Sequence, residues 1–275
     1  MAEKTHAIIF VPGIFGTTLE FDDMQGRKEN IWSPGIQDIF GYKRFALLSD
    51  PNNVNPGEVL NTIVTNAFYV YRPILKTLKE IFDTLNPHSQ HDVVPAPYDW
   101  RVDLLDSARA LNHQVNRYVT DETEFDAITF VAHSMGGLVT RLLLESVLNE
   151  PTQKRPWQSI RNRKAFFACT PHLGAPKALM YALGLQGDST LTSAQCKNLL
   201  GNPNFHAGYQ LLPSPDPQKC ELILNTQSKQ WISYADDDVR EKLDLSKANI
   251  DERANLWSKF SAPSATDYFF AYGTG

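Results

Sequence analysis

The motif Ala132-His133-Ser134-Met135-Gly136 decides the fold. An apolar run at residues 127–132 leads into it and predicts a buried β-strand, and the spaced apolar residues of 138–147 predict an amphipathic helix after it. A serine between small residues at such a junction is typical of the sharp strand-to-helix turn that raises a nucleophilic hydroxyl above a parallel sheet. The first small residue here is alanine, where glycine is more usual. The pattern predicts Ser134 as a nucleophile.

A serine at this junction has a second interpretation, as the N-terminal cap of a helix. The apolar strand before the motif and the amphipathic helix after it favour the nucleophile. In the same turn, the amide of Met135 and the N-terminus of the helix would face the hydroxyl of Ser134 and would stabilise a developing oxyanion. Met135 is therefore one predicted oxyanion donor.

The second motif, Val11-Pro12-Gly13-Ile14-Phe15-Gly16-Thr17, follows an apolar run at residues 6–11 that predicts the first strand. In the architecture that the serine motif indicates, the loop after this strand supplies the other oxyanion amide. Ile14 N–H is the predicted donor, and Phe15 is a candidate pocket residue. A tight glycine turn without a chemical role is the alternative interpretation of these residues alone.

Strand and helix patterns alternate along the first two thirds of the chain, which predicts an α/β fold with a mostly parallel sheet and right-handed crossovers. Further elements are predicted as strands at 92–95, 164–170 and 268–272 and as a helix at 104–118. One apolar face over residues 67–81 predicts another helix, which Pro73 would kink or delay. The polar, glycine-bearing segment 22–58 is predicted to be a loop region.

The regular alternation stops after residue 176. Residues 177–266 have scattered glycine, proline and asparagine, and they include an apolar, turn-rich tip at 208–215. We therefore expect a core over residues 1–176, a cap or lid inserted at 177–266, and a core strand that returns at 267–275.

Composition narrows the class of function. The 275 residues carry a formal net charge of -5, with 42% hydrophobic and 21% charged residues, so one large globular core is expected and nucleic acid is not an expected partner. No run approaches the roughly 20 apolar residues that span a bilayer, and no signal peptide is recognisable, so a cytoplasmic location is expected. The three cysteines lack metal-ligand spacing, and we expect Cys169 in the core and no metal or organic cofactor.

Several motifs together resemble the lecithin:cholesterol acyltransferase family, which includes lysosomal phospholipase A2 and the phospholipid:diacylglycerol acyltransferases. The motifs stand in the family's order and span almost the entire chain. They are FVPGIFGTTLE at 10–20, PYDWR at 97–101, VAHSMGG at 131–137, TPHLGAP at 170–176 and AYGTG at 271–275.

The resemblance implies an α/β-hydrolase fold and a serine acyl-enzyme that hydrolyses or transfers a fatty acyl group from a glycerolipid. It places the nucleophile on Ser134 and the oxyanion amides on Ile14 and Met135. It also places Trp32 in a lid or membrane-facing segment, so lipid is the expected substrate and a transient contact with a membrane surface is expected.

The chain departs from the family's pattern in its catalytic acid and histidine. In the family these follow the AYGTG-like strand, so we expect both beyond Gly275 and a C-terminally truncated hydrolase. Two residues within the chain could be mistaken for them. His172 is expected to line the pocket or fix a loop, and Asp99 is expected to pair with Arg101 or with a backbone turn.

Three classes of function stay open on these residues. The first is a lipase, phospholipase or acyltransferase with a lid, in which the Trp32 region and the tip at Leu211 and Leu212 would meet the acyl chains. The second is a non-catalytic lipid-binding or interaction module on a degenerate hydrolase fold. The third is a peptidase or small-molecule esterase on the same fold. The intact serine motif and glycine loop favour the first class.

Overall fold

The structure is a computed structural model that describes residues 4–32, 48, 53–60, 62–63, 68–69, 71–120, 125–153, 156–187, 191–216, 218–261 and 266–272. Its strands are β1 (Lys4–Val11), β2 (Thr17–Asp22), β3 (Lys28–Trp32), β4 (Val54–Val59), β5 (Thr62–Ile63), β6 (Phe68–Tyr69), β7 (Ser89–Pro95), β8 (Phe125–His133), β9 (Asn162–Ala168), β10 (Ile223–Asn225), β11 (Gln230–Ile232) and β12 (Asp267–Ala271). Its helices are α1 (Arg72–Leu85), α2 (Leu104–Thr120), α3 (Met135–Glu145), α4 (Pro176–Ala182), α5 (Ser193–Leu200), α6 (His206–Gln210), α7 (Asp237–Lys242) and α8 (Lys247–Trp257). Three short 3-10 helices lie between α3 and β9.

A five-stranded sheet in the order β12-β9-β8-β1-β7 forms the centre of the fold, and every neighbouring pair is parallel. β1 and β8 are interior strands, which explains their nearly continuous apolar sequences. The predicted parallel sheet is therefore confirmed, and the predicted strands before and after the serine motif differ from the observed ones by only a few residues.

A second, antiparallel sheet in the order β3-β2-β4 follows β1 directly. The prediction of a loop region over residues 22–58 is wrong for β3 and β4. The sequence did not indicate these strands because it is polar and contains the Pro56-Gly57 pair. Proline and glycine are rare inside strands but are tolerated at a sheet edge.

Helix α1 begins late, with Pro73 in its first turn, as its sequence predicts. Ala67, at the start of the predicted apolar face, lies outside the described residues. Part of this face packs on the sheet, but Ile74 and Ile81 are 40% and 46% exposed. Together with Phe166 and Phe269 of the sheet they line an open, mainly apolar groove of about 990 Å³.

The opposite face of the sheet carries the main core. Helices α2 and α3 pack against each other and bury long apolar stripes there, and Trp157 fills the space between them with its ring 5.8 Å from Phe130. The Trp157 indole N–H donates to the Asn112 side chain at 3.0 Å, which satisfies a buried polar group. This layer fixes α3, and therefore its N-terminus, against the sheet.

Residues 176–261 connect β9 to β12, two strands that are neighbours in the sheet. The sequence of this connection is irregular, yet the structure forms five helices and one short hairpin in its described part. Leu211 and Leu212, expected at a tip that meets the acyl chains, are 4% and 0% exposed and belong to the main core. The expectation of a buried Cys169 is wrong, since it is exposed at the end of β9 and Cys196 is the buried cysteine.

None of the helices described by the structure has the length and apolar character needed to cross a bilayer.

Candidate active site

Ser134 occupies the turn between β8 and α3 with φ 53° and ψ -127°, a backbone conformation that residues other than glycine rarely adopt. Its hydroxyl makes no capping hydrogen bond to the helix, and the residue is partly exposed. A helix cap would have extended backbone and a side-chain bond to the first turn. The interpretation of Ser134 as a mere cap is therefore excluded, and the strained turn needs another explanation.

Strand pairing brings the two sequence motifs together. Val11 is the register partner of Ala132, so the loop after β1 and the serine turn leave the sheet side by side. A Cβ atom on Gly136 would lie 2.2 Å from the Pro12 carbonyl oxygen, a distance that no side chain can tolerate. Glycine is required at position 136 because the loop backbone passes directly over the first turn of α3.

The glycine loop is a tight turn in which the Gly16 N–H donates to the Gly13 carbonyl at 3.0 Å. Phe15 stands third in this turn with φ 63°, a left-handed conformation. The buried Tyr98 hydroxyl stabilises the loop by donating to the Pro12 carbonyl at 3.0 Å. Burial raises the Tyr98 pKa well above its usual value, so this hydroxyl stays protonated and able to donate.

The two predicted oxyanion donors lie at the ends of these neighbouring segments. Among the contacts of the described residues, the Ile14 N–H has no hydrogen-bond acceptor. Met135 is the first residue of α3, whose leading N–H groups have no partner inside the helix. The structure thus places Ile14, Ser134 and Met135 on two segments that touch.

Tyr71 joins the same two segments from the side of α1. Its phenol oxygen lies 2.9 Å from the Gly13 nitrogen and 2.8 Å from Nδ1 of His133. Burial lowers the pKa of His133 and raises that of Tyr71. The sequence did not reveal this role, since Tyr71 appeared only as one position on an apolar helical face 62 residues before His133.

An aromatic cluster lies beyond the loop. The Phe15 ring is 5.1 Å from that of Trp32 and 4.8 Å from that of Trp100, and the Trp32 indole N–H donates to the Phe15 carbonyl at 3.0 Å. Trp32 is only 5% exposed, so the expectation of a lid or membrane-facing position is wrong for this residue. Phe15, the candidate pocket residue, is partly exposed and is packed between the two tryptophans.

His172 belongs to a separate network behind α3. Its Nδ1 lies 3.3 Å from the Arg141 guanidinium, and its ring contacts Phe167 and Phe270. Burial and the charge of Arg141 lower its pKa. Arg141 in turn pairs at 2.8 Å with Glu145, whose side chain is fully buried. These contacts fit the expected loop-fixing role of His172.

Glu145 connects this network to the end of the chain. Its carboxylate accepts the Ser261 N–H at 2.6 Å and the Tyr268 hydroxyl at 3.1 Å, so it joins α3 to β12 and to the segment before it.

The Asp99 carboxylate is bound to Arg101. Its carboxylate accepts two hydrogen bonds from the Arg101 guanidinium, at 2.7 and 3.0 Å, and a third from the Arg101 backbone N–H. The two side chains are 10% and 5% exposed. The expected pairing of Asp99 with Arg101 is confirmed, and this geometry leaves the carboxylate no role at Ser134.

No histidine is hydrogen-bonded to the Ser134 hydroxyl, and all seven histidines lie within the described residues. His133, which precedes Ser134, is hydrogen-bonded to Tyr71. His172, which follows the neighbouring strand β9, is hydrogen-bonded to Arg141. Nor does any group of three potential metal ligands occur in the described ranges.

Comparison with known proteins identifies the family and supports the fold. A profile of the lecithin:cholesterol acyltransferase family matches residues 58–259, well over half of the chain. A chain in the crystal structure of the Tle4–Tli4 complex superposes with a TM-score of 0.61 over 97% of this chain and 74% of its own length, at 16% identity. This second likeness shows the fold alone.

Two further matches are weaker, one in coverage and one in structural similarity. The uncharacterized Saccharomyces cerevisiae protein YJR098C is 26% identical over 117 residues, a match that covers 42% of this chain and only 18% of the yeast protein. Lipase 1 from Pelosinus fermentans aligns over 96% of this chain and 66% of its own at 16% identity, but with a TM-score of 0.34. The parallel sheet, the serine turn and the profile match together lead to one conclusion: the chain has the α/β-hydrolase fold and belongs to the lecithin:cholesterol acyltransferase family.

Proposed function

We propose that this chain carries the nucleophile of a lipid acyl-ester hydrolase or O-acyltransferase, and that Ser134 is that nucleophile. The observation that carries the proposal is the backbone of Ser134, which is held at a positive φ with its hydroxyl uncapped and partly exposed. A conformation that costs roughly 1–3 kcal/mol persists only where its surroundings impose it, and such residues cluster at active sites. Family membership supports acyl-ester chemistry over peptide hydrolysis.

The reaction begins with attack of the Ser134 oxygen on the ester carbonyl carbon. Negative charge then develops on the carbonyl oxygen, and the Ile14 and Met135 N–H groups stabilise it from two sides. Collapse of this intermediate breaks the ester C–O bond, the proton lost by the Ser134 hydroxyl passes to the departing oxygen to give the alcohol, and the acyl group stays on Ser134. Water completes hydrolysis and an acceptor alcohol completes transfer, so both outcomes share this site.

The same proposal assigns supporting roles elsewhere in the molecule. Phe15, at the edge of the aromatic cluster, lines the acyl pocket, and residues 177–266 act as the cap. None of the seven histidines is bonded to Ser134 in the described residues, and the family resemblance implies that the general base and its orienting acid follow the AYGTG-like strand. Lipid aggregates at a membrane surface are the proposed substrate.

Labelling with a fluorophosphonate probe tests the nucleophile directly. In the full-length protein we expect one phosphonylated peptide, containing Ser134, and no labelling of the Ser134→Ala variant. Ser258→Ala, which removes an exposed hydroxyl bonded only to Asn255, is the matched control and should label like the wild type. Absence of labelling in the full-length wild type would favour a non-catalytic lipid-binding module.

Turnover of a p-nitrophenyl ester tests the placement of the base. Residues 1–275 alone should turn over very slowly, because an unassisted serine hydroxyl is hardly ionised near neutral pH. Rapid turnover by these residues that is lost in Ser134→Ala would show that the base is internal and would contradict this part of the proposal.

A further inference from the structure

Tyr71 is built into the wall of the candidate site more tightly than an ordinary core tyrosine. It is 4% exposed, and its ring lies 5.0 Å from Phe10. A Cβ atom on Gly16 would lie 2.7 Å from Cε2 of this ring. The glycine loop therefore packs closely against the Tyr71 ring. Among the described residues, the Tyr71 phenol is the buried side chain that bonds both Gly13 and His133.

The direction of these hydrogen bonds follows from what each group can donate. The Gly13 N–H can only donate, so the phenol oxygen accepts it. We assign the phenol proton to Nδ1 of His133, 2.8 Å away, an assignment that pairs it with a neutral imidazole carrying its proton on Nε2. The lowered pKa of His133 and the raised pKa of Tyr71 keep both groups in these states near neutral pH.

The Gly13 bonds also orient the amide that follows. The Gly13 carbonyl accepts the Gly16 N–H at 3.0 Å, and the Gly13 N–H is bound by Tyr71. In a trans peptide the carbonyl and the next N–H point in opposite directions, so the Ile14 N–H faces away from the turn. Because its own amide is occupied, Gly13 is not an oxyanion donor, and Ile14 is the residue whose amide is free to act.

We propose that Tyr71 and His133 form a positioning relay, Gly13 N–H to Tyr71 O–H to His133 Nδ1, that holds the Ile14 amide in place against the serine turn. This inference rests on the proposed function of Ser134 and Ile14. Neither relay residue touches the reacting atoms, and each acts through the glycine loop. His133 adjoins Ser134, so the relay ties the loop to the turn itself.

The variants Tyr71→Phe and His133→Leu each remove one side of the relay and leave an apolar side chain in its place. In the full-length protein, each should lower the second-order rate of fluorophosphonate labelling at Ser134 by about 10-fold or more, as expected when an oxyanion donor is displaced. The double variant should be no slower than the slower single variant, since both changes break one chain of bonds. Tyr118→Phe, which removes a partly buried hydroxyl bonded to Asp92 in β7, is the matched control and should label at the wild-type rate.

Conservative replacement separates positioning from general structural damage. His133→Asn offers an amide oxygen at the position of Nδ1, so it should restore most of the rate that His133→Leu loses. Amide hydrogen exchange gives an independent readout: exchange at Gly13, whose N–H the Tyr71 oxygen accepts, should accelerate in Tyr71→Phe and His133→Leu, and exchange in β8 should not change.

The outcomes separate the two proposals. Labelling of Tyr71→Phe at the wild-type rate, or no difference between His133→Asn and His133→Leu, would overturn the relay. A wild-type protein that is not labelled at Ser134 would overturn the proposed function, and the relay would then be decided by the exchange of the Gly13 amide alone.

Discussion

A Cβ atom on Gly136 would lie 2.2 Å from the Pro12 carbonyl oxygen, so the first turn of α3 and the glycine loop meet backbone to backbone. We expect Gly136→Ala to push the two segments apart. The free energy of unfolding should fall by roughly 1–3 kcal/mol, as for other overpacked sites, and Ser134 labelling should be largely lost. Gly208→Ala, whose added Cβ would come no closer than 3.3 Å to its neighbours, is the control for adding a methyl group to a helical glycine. Urea denaturation and labelling of both variants would check this, and an unaffected Gly136→Ala would contradict the backbone contact.

The positive φ of Ser134 predicts a difference between two inactive variants. Glycine adopts this conformation without a steric cost, whereas alanine does not. Ser134→Gly should therefore be more stable than Ser134→Ala by about 1 kcal/mol, although both abolish labelling. Chemical denaturation at neutral pH measures the difference. Equal stability of the two variants would mean that the turn is not strained.

Asp99 and Arg101 form a buried ion pair, and this predicts an asymmetry between single and double changes. Asp99→Ala removes the carboxylate that pairs with the buried Arg101 guanidinium and should cost about 3–5 kcal/mol of stability. Asp99→Ala combined with Arg101→Met removes both charges and should recover part of that loss. Thermal unfolding of the three proteins tests the pairing. Loss of labelling in Asp99→Ala with wild-type stability would instead identify Asp99 as a catalytic acid.

His6 predicts acid sensitivity of the fold. Burial, with His91 and Lys164 nearby, lowers its pKa from 6.5 to about 4, and its Nε2 lies 2.8 Å from the Thr129 hydroxyl. Between these two values the unfolded chain binds the proton and the folded chain does not, so stability falls as the pH is lowered through this window and is fully present above it. The loss at pH 5 should be roughly 1–2 kcal/mol.

His6→Gln, which keeps a polar group near Thr129, should reduce this pH dependence. His88→Gln, a change at an exposed histidine, is the control and should keep the wild-type dependence. Urea midpoints at pH 7 and pH 5 provide the measurement, and identical dependence in His6→Gln and the wild type would show that another group is responsible.

Much of the sheet was predictable because its interior strands are covered on both faces. β1 and β8 are continuous apolar runs, and the serine motif marks the point where β8 ends. The antiparallel strands β3 and β4 were not predictable in this way. Most of their residues are exposed or partly exposed and polar, so hydrophobic periodicity carries no signal there.

The candidate site was predictable only where it is local in sequence. Ser134 and Met135 are adjacent, and Ile14 follows a recognisable glycine pattern. Tyr71 and Trp32 come from segments whose relation to the site exists only after folding. The family resemblance assigned Trp32 to a lid or membrane-facing segment, yet the rings of Phe15 and Trp100 and a backbone carbonyl contact it. Single-sequence patterns do not encode such long-range contacts.

The contacts of Glu145 predict which elements of the fold unfold together. Its carboxylate joins the C-terminal end of α3, the helix that directly follows Ser134, to Ser261 and Tyr268. Detaching β12 would leave this carboxylate and Arg141 without much of their cover, so the last strand and the nucleophile helix should open as one cooperative unit. A structural change at the edge strand β12 would therefore be transmitted to Ser134 through α3.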